Sequence, residues 1–163
     1  MENILEKPYR PNAGMVVFNE RGMLLVGERF QFRSAWQFPQ GGIDEGEEPD
    51  LAAERELYEE VGISKPELVG IYPEWIYYDF PPNLNLHGKM ANYKGQMQKW
   101  YLYFWNHPAS DCNLEIHDRE FKQVQFMDWD SIIDSIVEFK RDVYKKLKSD
   151  FKPKIENYLS TRK

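Results

Sequence analysis

Cysteine is almost absent from this chain of 163 residues, which contains only Cys112. A single cysteine can form no intrachain disulfide and excludes a cysteine-based zinc cluster, so this usage favours a reducing compartment. The first residues contain no apolar run of the signal-peptide kind. No segment approaches the roughly 18–20 apolar residues of a membrane span. We therefore expect a cytoplasmic protein that does not use a membrane as a partner.

Positive charge is also scarce, because 21 lysines and arginines face 27 aspartates and glutamates and give a net charge of -6. This balance argues against DNA as a partner and against RNA binding through overall charge. A local basic patch, or a cation that bridges carboxylates to phosphates, stays open. Apolar residues make up 42% of the chain and aromatic residues 15%, as in a folded protein. The length fits a single domain over residues 1–163.

Alternation of strand-like and helix-like segments predicts an α/β (α+β) layered domain with a mixed β-sheet. Residues 1–12 are polar and are predicted to form a loose lead-in, and residues 81–95 are rich in proline, glycine and asparagine and are predicted to form a long loop. The predicted strands are 14–18, 23–27, 36–39, 67–80, 99–105 and 121–129, and the predicted helices are 49–61 and 130–158.

Three glutamates crowd the end of the first predicted helix. Glu56, Glu59 and Glu60 are spaced i, i+3 and i+4, so they share one side of a helix. Like charges at this spacing cost a few tenths of a kcal/mol each, and the helix dipole disfavours carboxylates near a C-terminus. A divalent cation such as Mg²⁺ reverses both effects, since hard cations take oxygen ligands. The alternative is a solvated acidic face.

The spacing around these glutamates matches a known pattern. Gly41 is followed after five residues by Glu47, and after seven more by RELYEEVGI at residues 55–63. This stretch matches all nine specified positions of the Nudix box, G-x5-E-x7-R-E-U-x-E-E-x-G-U, where U is a bulky aliphatic residue. The chain therefore resembles Nudix hydrolases, and the solvated-face alternative loses its weight.

The resemblance implies a Nudix fold, in which a mixed β-sheet lies between helices, and a pyrophosphohydrolase that depends on Mg²⁺, for which Mn²⁺ can substitute. It makes Glu56, Glu59 and Glu60 metal ligands, with Glu47 and Glu120 as additional ones. Arg55 is expected to pair with box carboxylates and to hold their rotamers. Either Glu59 or Glu120 is expected to accept a proton from the attacking water. Gly41 is expected to allow a tight turn, and Gly62 to end the helix.

Segments outside the box narrow the resemblance. YRPNAG (9–14), WQFPQGG (36–42), QKWYLYFW (98–105) and FKRDVY (139–144) resemble bacterial RNA pyrophosphohydrolases, which are also described as dinucleoside polyphosphate hydrolases. Such enzymes convert the 5′-triphosphate end of RNA to a monophosphate, which initiates RNA decay, and they also cleave dinucleoside polyphosphates. The resemblance runs from about Tyr9 to Phe151.

The same resemblance supplies candidate substrate contacts, each with a plainer alternative. Tyr78 and Phe139 are either base contacts or core residues, and Lys140 is either a phosphate contact or a solvated helix residue. The turn over residues 30–35 is one residue longer than expected for such relatives, and Ala35 stands where a serine would contact RNA. The full candidate set is Arg29, Tyr78, Gln98, Lys99, Phe139, Lys140, Gly41 and Gly42, with Arg10 as a further possibility.

Three rival interpretations stay open at this point. The first is that dinucleoside polyphosphates, such as diadenosine tetra- or pentaphosphate, are the main substrate. The second is a non-catalytic nucleotide- or RNA-binding module, although such modules usually lose the box carboxylates, which are all present here. The third is a metal-dependent isomerase, which would need a second acid–base motif. We expect a monomer or a weak homodimer.

Overall fold

The structure is a computed structural model that describes residues 7–30 and 34–162. Within these residues there are eight strands, three α-helices and three short 3-10 helices. The strands are β1 (Tyr9–Phe18), β2 (Leu24–Arg29), β3 (Trp36–Gln37), β4 (Gln40–Gly42), β5 (Glu67–Ile71), β6 (Ile76–Asp79), β7 (Gly95–Phe104) and β8 (Phe121–Met127); the helices are α1 (Pro49–Val61), α2 (Trp129–Ser135) and α3 (Arg141–Thr161).

The eight strands form one mixed sheet centred on β1 and β7. These two strands run parallel, from the pair Tyr9–Gly95 to the pair Phe18–Phe104. All other pairings are antiparallel: β2 and β4 pair with β1, β3 and β8 pair with β2, and β5 and β6 pair with β7. The short β4 therefore lies against the first half of β1, at the end of the sheet opposite to the β1–β2 hairpin.

Alternating residues of the central strands pack into two cores, one on each face of the sheet. On one face, Met15 and Tyr101 pack with Leu57 of α1. On the other face, Trp100 and Val16 pack with residues of α2 and α3. This is the mixed sheet between helices that the sequence predicts. None of the helices in the described part of the chain is long and apolar enough to cross a membrane.

Helix α1 has the bounds that its end signals predict. Pro49 occupies the first helical position, where its missing N–H is no loss. Gly62 ends the helix in the left-handed conformation with φ of 76°, and its N–H donates to the carbonyl of Tyr58. The predicted strands at 14–18, 23–27, 99–105 and 121–129 are also present, with β7 beginning earlier, at Gly95.

Four predicted segments were wrong in their extent, and one of them, the strand 36–39, ends at Gln37. The lead-in over residues 1–12 was wrong from Tyr9 onward, because β1 starts there and pairs with β7; residues 1–6 lie outside the described residues. The segment 67–80 is two strands, since residues 72–75 leave the sheet. The single helix over 130–158 is interrupted, because Ile136 has an extended backbone with ψ of 150°. In the longer turn predicted at 30–35, residues 31–33 lie outside the described part.

Candidate active site

The carboxylates at the end of α1 face β4. Glu60 is buried, with 7% of its surface exposed, and its Oε2 accepts a hydrogen bond of 3.2 Å from the backbone N–H of Gln40. Glu56 lies one turn earlier and contacts Gly41. Helix α1 thus carries these two side chains inward, while the antiparallel pairing of β4 with β1 holds the backbone that receives them.

Arg55 binds several of the neighbouring carboxylates at once. Its Nε and Nη2 donate to the two oxygens of Glu47 at 2.8 and 2.9 Å. Its Nη1 donates to Glu56 at 2.9 Å and to Glu59 at 3.0 Å, and Nη2 also donates to the carbonyl of Gly42 at 2.9 Å. The expected pairing of Arg55 with box carboxylates is therefore present. A planar guanidinium with five N–H groups is suited to fix several acceptors together.

A glycine is needed at position 41 because the side chain of Glu56 fills the space next to it. The predicted reason for this glycine, a tight turn, was wrong. A Cβ atom on Gly41 would lie 2.0 Å from both Cδ and Oε2 of Glu56, which is far inside van der Waals contact. Gly41 lies in the extended strand β4 and shows no left-handed φ; in this loop that conformation belongs to Gly46, with φ of 78°. Gly42 has a similar role, because a Cβ there would lie 2.4 Å from Nη2 of Arg10.

Burial and mutual repulsion disfavour the charged forms of two of these acids. Burial raises the pKa of Glu60 well above its ordinary value, and the neighbouring carboxylates of Glu120 and Glu56 raise it further. Burial also raises the pKa of Glu56, while Arg55 acts in the opposite direction. Three carboxyl groups from α1 and from the loop before β8 thus meet in one place, where their combined charge needs compensation.

Two basic side chains, Arg29 and Lys140, lie beside this acidic group. The guanidinium of Arg29 forms an ion pair of 3.7 Å with Glu120. Lys140 is 7% exposed, and its Nζ donates to Oε1 of Gln37 at 3.3 Å. Burial lowers the pKa of Lys140 to about 7, and the positive charge of Arg29 acts in the same direction, whereas Glu60 opposes it. The solvated alternative for Lys140 was wrong.

Tyr78 and Phe139 lie side by side next to the charged groups. Their ring centroids are 5.8 Å apart with an interplanar angle of 39°. Tyr78 is 8% exposed, and its hydroxyl accepts a hydrogen bond of 2.5 Å from Gln96, whose Oε1 accepts one of 3.0 Å from Arg10. Phe139 is only partly buried at the margin of the core. The structure thus places Tyr78 mainly in the core and leaves part of the Phe139 ring accessible.

Gln98 and Lys99, two of the candidate substrate contacts, are neighbours on β7 and point to opposite faces of the sheet, so β7 does not present both of them to one cleft. Adjacent strand residues point to opposite faces of a sheet, and Gln98 lies on the face of Trp100, whose Nε1 donates to it at 3.2 Å. Lys99 pairs with Ala13 of β1, and Ala13 belongs to the core on the face of the sheet that packs against α1. Gln98 is 1% exposed, so it is a buried residue beneath the site.

Sequence reasoning missed the roles of Gln40, Gln37 and Asn12. Gln98 donates from Nε2 to Gln40 at 2.8 Å and to Asn12 at 3.0 Å. The Nδ2 atom of Asn12 and the Nε atom of Arg29 are buried without a hydrogen-bond partner within the described part of the chain. The only sequence signal for this buried amide group is that Gln40 directly precedes Gly41, in a pattern where another glycine is common.

The donor chemistry of the site fits a hard divalent cation. All of the candidate ligands offer carboxylate oxygens, which Mg²⁺ prefers, and the burial of Glu60 beside Glu56 and Glu120 calls for compensating positive charge. Over residues 7–30 and 34–162, no group of three histidine, cysteine, aspartate or glutamate side chains is arranged to enclose a metal ion. In this arrangement Arg55 occupies oxygens of Glu47, Glu56 and Glu59.

Comparisons with known proteins show which family the chain resembles. Residues 8–147 match the family model described as NUDIX domain. An RNA pyrophosphohydrolase from Wolbachia pipientis is 42% identical over 147 residues, covering 90% of this chain and 91% of the relative. An RNA pyrophosphohydrolase from Helicobacter pylori is 40% identical over 160 residues, covering 96% of this chain and 100% of the relative. The crystal structure of a C. elegans Ap4A hydrolase superposes with a TM-score of 0.62 at 22% identity, covering 88% of this chain and 98% of that one, which supports the fold alone.

Proposed function

The chain belongs to the NUDIX domain family and is a hydrolase of pyrophosphate bonds, and on that premise we propose that it acts on the 5′-triphosphate end of RNA. Water cleaves the anhydride between the first and second phosphates, so pyrophosphate leaves and the RNA keeps a 5′-monophosphate. The names of relatives about 40% identical over nearly their full length support the RNA substrate.

The observation that carries this proposal is that acidic and basic side chains lie together around Glu60. The carboxylates of Glu56 and Glu120 lie beside Glu60, Arg29 forms an ion pair with Glu120, and the buried amine of Lys140 interacts with both Arg29 and Glu60. Carboxylates attract a divalent cation, whereas arginine and lysine attract phosphate oxygens. A polyphosphate with its bound Mg²⁺ has both of these partners and is complementary to the site.

We assign the metal to Glu56, Glu59 and Glu60, with Glu120 and Glu47 as additional ligands; Mn²⁺ offers the same preference for oxygen. Bound Mg²⁺ supplies charge neutralisation for the phosphates and makes water easier to deprotonate. Glu47 accepts two hydrogen bonds from Arg55, so in this arrangement its carboxylate binds and orients the guanidinium. Arg55 in turn sets the rotamers of Glu56 and Glu59.

Two carboxylates, Glu59 and Glu120, are the candidates to accept the proton of the attacking water. One oxygen of Glu59 accepts a hydrogen bond from Arg55, which orients the carboxylate. Glu120 is paired with Arg29 and lies next to buried Glu60, while its own side chain stays 42% exposed to incoming water. Arg29 and Lys140 then face the departing phosphates, and the accessible part of the Phe139 ring is available to stack on a base.

The decisive experiment is product identification with RNA that carries ³²P at the γ-phosphate, in the presence of Mg²⁺. We expect labelled pyrophosphate as the first product, and ¹⁸O-labelled water identifies the phosphorus that is attacked. The matched variants are Glu60→Gln and Glu54→Gln, since Glu54 is exposed on the same helix. Turnover should fall by orders of magnitude only for Glu60→Gln. Equal turnover in both variants would contradict the assigned site.

A competition assay orders RNA against the dinucleoside polyphosphate alternative. Triphosphate RNA and diadenosine tetraphosphate are mixed at equal concentration with fixed Mg²⁺. Faster consumption of RNA supports the proposal. A preference for the dinucleotide of more than about tenfold, which is about 1.4 kcal/mol in transition-state binding, would overturn the RNA assignment while leaving the hydrolase in place.

A further inference from the structure

Basic residues are concentrated in one short part of this acidic chain. Residues 140–154 contain seven of the 21 lysines and arginines but only two of the 27 aspartates and glutamates. This segment comprises Lys140 of the site and the first two-thirds of α3. A chain with net charge -6 therefore has a strongly positive region directly beside its acidic candidate site. This positive region attracts anions locally despite the overall charge.

Four of these residues form a line along the helix, which we call the α3 basic stripe: Arg141, Lys145, Lys148 and Lys152. Steps of four, three and four residues keep them within an arc of about 60° on the helix surface. With a rise of about 1.5 Å per residue, the stripe is roughly 16 Å long. The opposite side of α3 is buried through Tyr144, Leu147 and Phe151.

Three charges of the α3 basic stripe form ion pairs with exposed acids, and Arg141 also donates to the carbonyl of Asp134 at 3.5 Å. Arg141 pairs with Glu138, Lys148 with Asp130 and Lys152 with Glu156, and the three acidic side chains are 84%, 77% and 62% exposed. Such surface ion pairs contribute about 0–1 kcal/mol and are easily exchanged. Lys145 forms no ion pair within residues 7–30 and 34–162 and is exposed. The stripe is therefore available to an anionic partner.

A shallow groove follows the same side of the helix. Its volume is about 260 Å³, and it is lined by Lys145, Lys148, Ser149, Lys152, Pro153 and Glu156. Pro153 lies inside the helix, where it removes an N–H donor and frees a carbonyl one turn earlier. The groove is thus lined by three lysine side chains next to the proline of the helix.

The α3 basic stripe begins where the candidate site ends. Arg141 directly follows Lys140, whose ammonium is buried beside Gln37 and near Glu60. Phe139, two residues before Arg141, contacts Tyr78 at the margin of the same site. A strand whose first phosphates bind at Arg29 and Lys140 and whose first base contacts Phe139 would next meet Arg141 and then Lys145.

We propose that the α3 basic stripe binds the sugar–phosphate backbone of RNA downstream of the 5′ end. This inference rests on the proposed function, and it adds a length requirement to it. A substrate of two nucleotides ends near Phe139 and does not reach the stripe. A longer single strand reaches Lys145 and Lys152, which bind its phosphates without base specificity.

The test compares two triphosphate substrates, an unstructured RNA of about 20 nucleotides, long enough to pass the whole stripe, and a triphosphorylated dinucleotide. Lys145→Glu and Lys152→Glu each reverse one charge of the α3 basic stripe. Lys146→Glu is the matched control, because it makes the same change at an exposed position of the same helix that points about 100° away from Lys145. Circular dichroism and thermal unfolding establish that all three variants fold.

We expect kcat/KM for the long RNA to fall about fivefold or more in each stripe variant at moderate salt, through KM. The slope of log kcat/KM against log salt concentration should become shallower by about 0.7 for each phosphate that the variant no longer binds. Hydrolysis of the dinucleotide should stay unchanged in all variants, and Lys146→Glu should resemble the wild type with both substrates.

Failure of the stripe and failure of the hydrolase activity give different results. If the wild-type protein hydrolyses both RNAs and the stripe variants keep the wild-type kcat/KM for the long RNA, the α3 basic stripe does not bind RNA. If the wild type hydrolyses neither RNA, the proposed function itself is wrong. If Lys145→Glu and Lys152→Glu instead abolish binding to vesicles of phosphatidylglycerol and leave RNA kinetics unchanged, the stripe binds a lipid surface and the inference is overturned.

Discussion

The carboxyl group of Glu56 occupies the space that a side chain on Gly41 would fill, with only 2.0 Å between its Cδ and an ideal Cβ position. The two residues are separated by the loop that precedes α1, so the glycine in the strand and the glutamate on the helix are required together. This contact explains why a candidate metal ligand is packed directly on β4.

Gly41→Ala should therefore lower activity far more than stability. The methyl group displaces Glu56, and a displacement of about 1 Å of a catalytic group costs on the order of 100-fold in rate. Steady-state kinetics with triphosphate RNA measure this loss. Gly70→Ala is the control, since a Cβ there would lie 3.2 Å from the flexible end of Lys154. Wild-type kcat in Gly41→Ala would show that Glu56 does not need its present position.

Arg55→Lys should reduce kcat/KM by about 10- to 100-fold, the usual effect of losing a residue that orients metal ligands. A lysine ammonium is a compact charge and cannot hold Glu47 through two atoms while also binding Glu56 and Glu59. The Mg²⁺ concentration for half-maximal rate should rise as well. Arg162→Lys is the control, because it makes the same substitution at an exposed ion pair with Glu20. An unaltered Mg²⁺ requirement in Arg55→Lys would refute the orienting role of Arg55.

Metal binding should be visible without catalysis. Mg²⁺ should raise the Tm of the wild-type protein, because a ligand that binds only the folded state stabilises it, and it should offset repulsion among Glu56, Glu60 and Glu120. In Glu60→Gln this rise should largely disappear, while Glu54→Gln keeps it. Differential scanning calorimetry with and without chelator measures both effects. A full Mg²⁺-dependent rise in Glu60→Gln would exclude Glu60 as a ligand.

The parts of this structure that the sequence predicts well are those set by local signals. Pro49 and Gly62 mark both ends of α1 because each suits its terminal position by backbone geometry alone. The interruption between α2 and α3 has no such signal, since apolar residues continue at helical spacing through Ile136 and Val137. The burial of Lys140 likewise depends on Gln37, 103 residues earlier in the chain, and no local pattern encodes that contact.

Cys112 should be a slow thiol at ordinary pH. Burial raises its pKa to about 12, and the carboxylate of Asp111 adds to the effect. Because the thiolate is the nucleophile, alkylation by iodoacetamide should keep accelerating as pH rises from about 7 to about 10, without the plateau near 9 of a free thiol. A cysteine placed at exposed Ser160 provides the fast control in a Cys112→Ala background. A plateau near pH 9 for Cys112 would contradict this environment.

Gln98→Leu tests whether buried amides control the geometry of Glu60. Gln98 holds the side chain of Gln40 at 2.8 Å, and the N–H of Gln40 donates to Glu60 at 3.2 Å. Leucine removes the hydrogen bond to Gln40 and leaves buried polar partners unsatisfied, at about 1–3 kcal/mol of stability.

A merely structural role for Gln98 would lower Tm and the amount of folded protein but leave kcat per folded molecule intact. A positioning role lowers kcat and raises the Mg²⁺ requirement while KM for RNA changes little, because Gln98 itself is buried away from substrate. Gln98→Glu, which keeps one acceptor oxygen for Trp100 but loses the amide donor, should share the kcat defect. Normal kcat in both variants would place the control of Glu60 elsewhere, most directly in the pairing of β4 with β1.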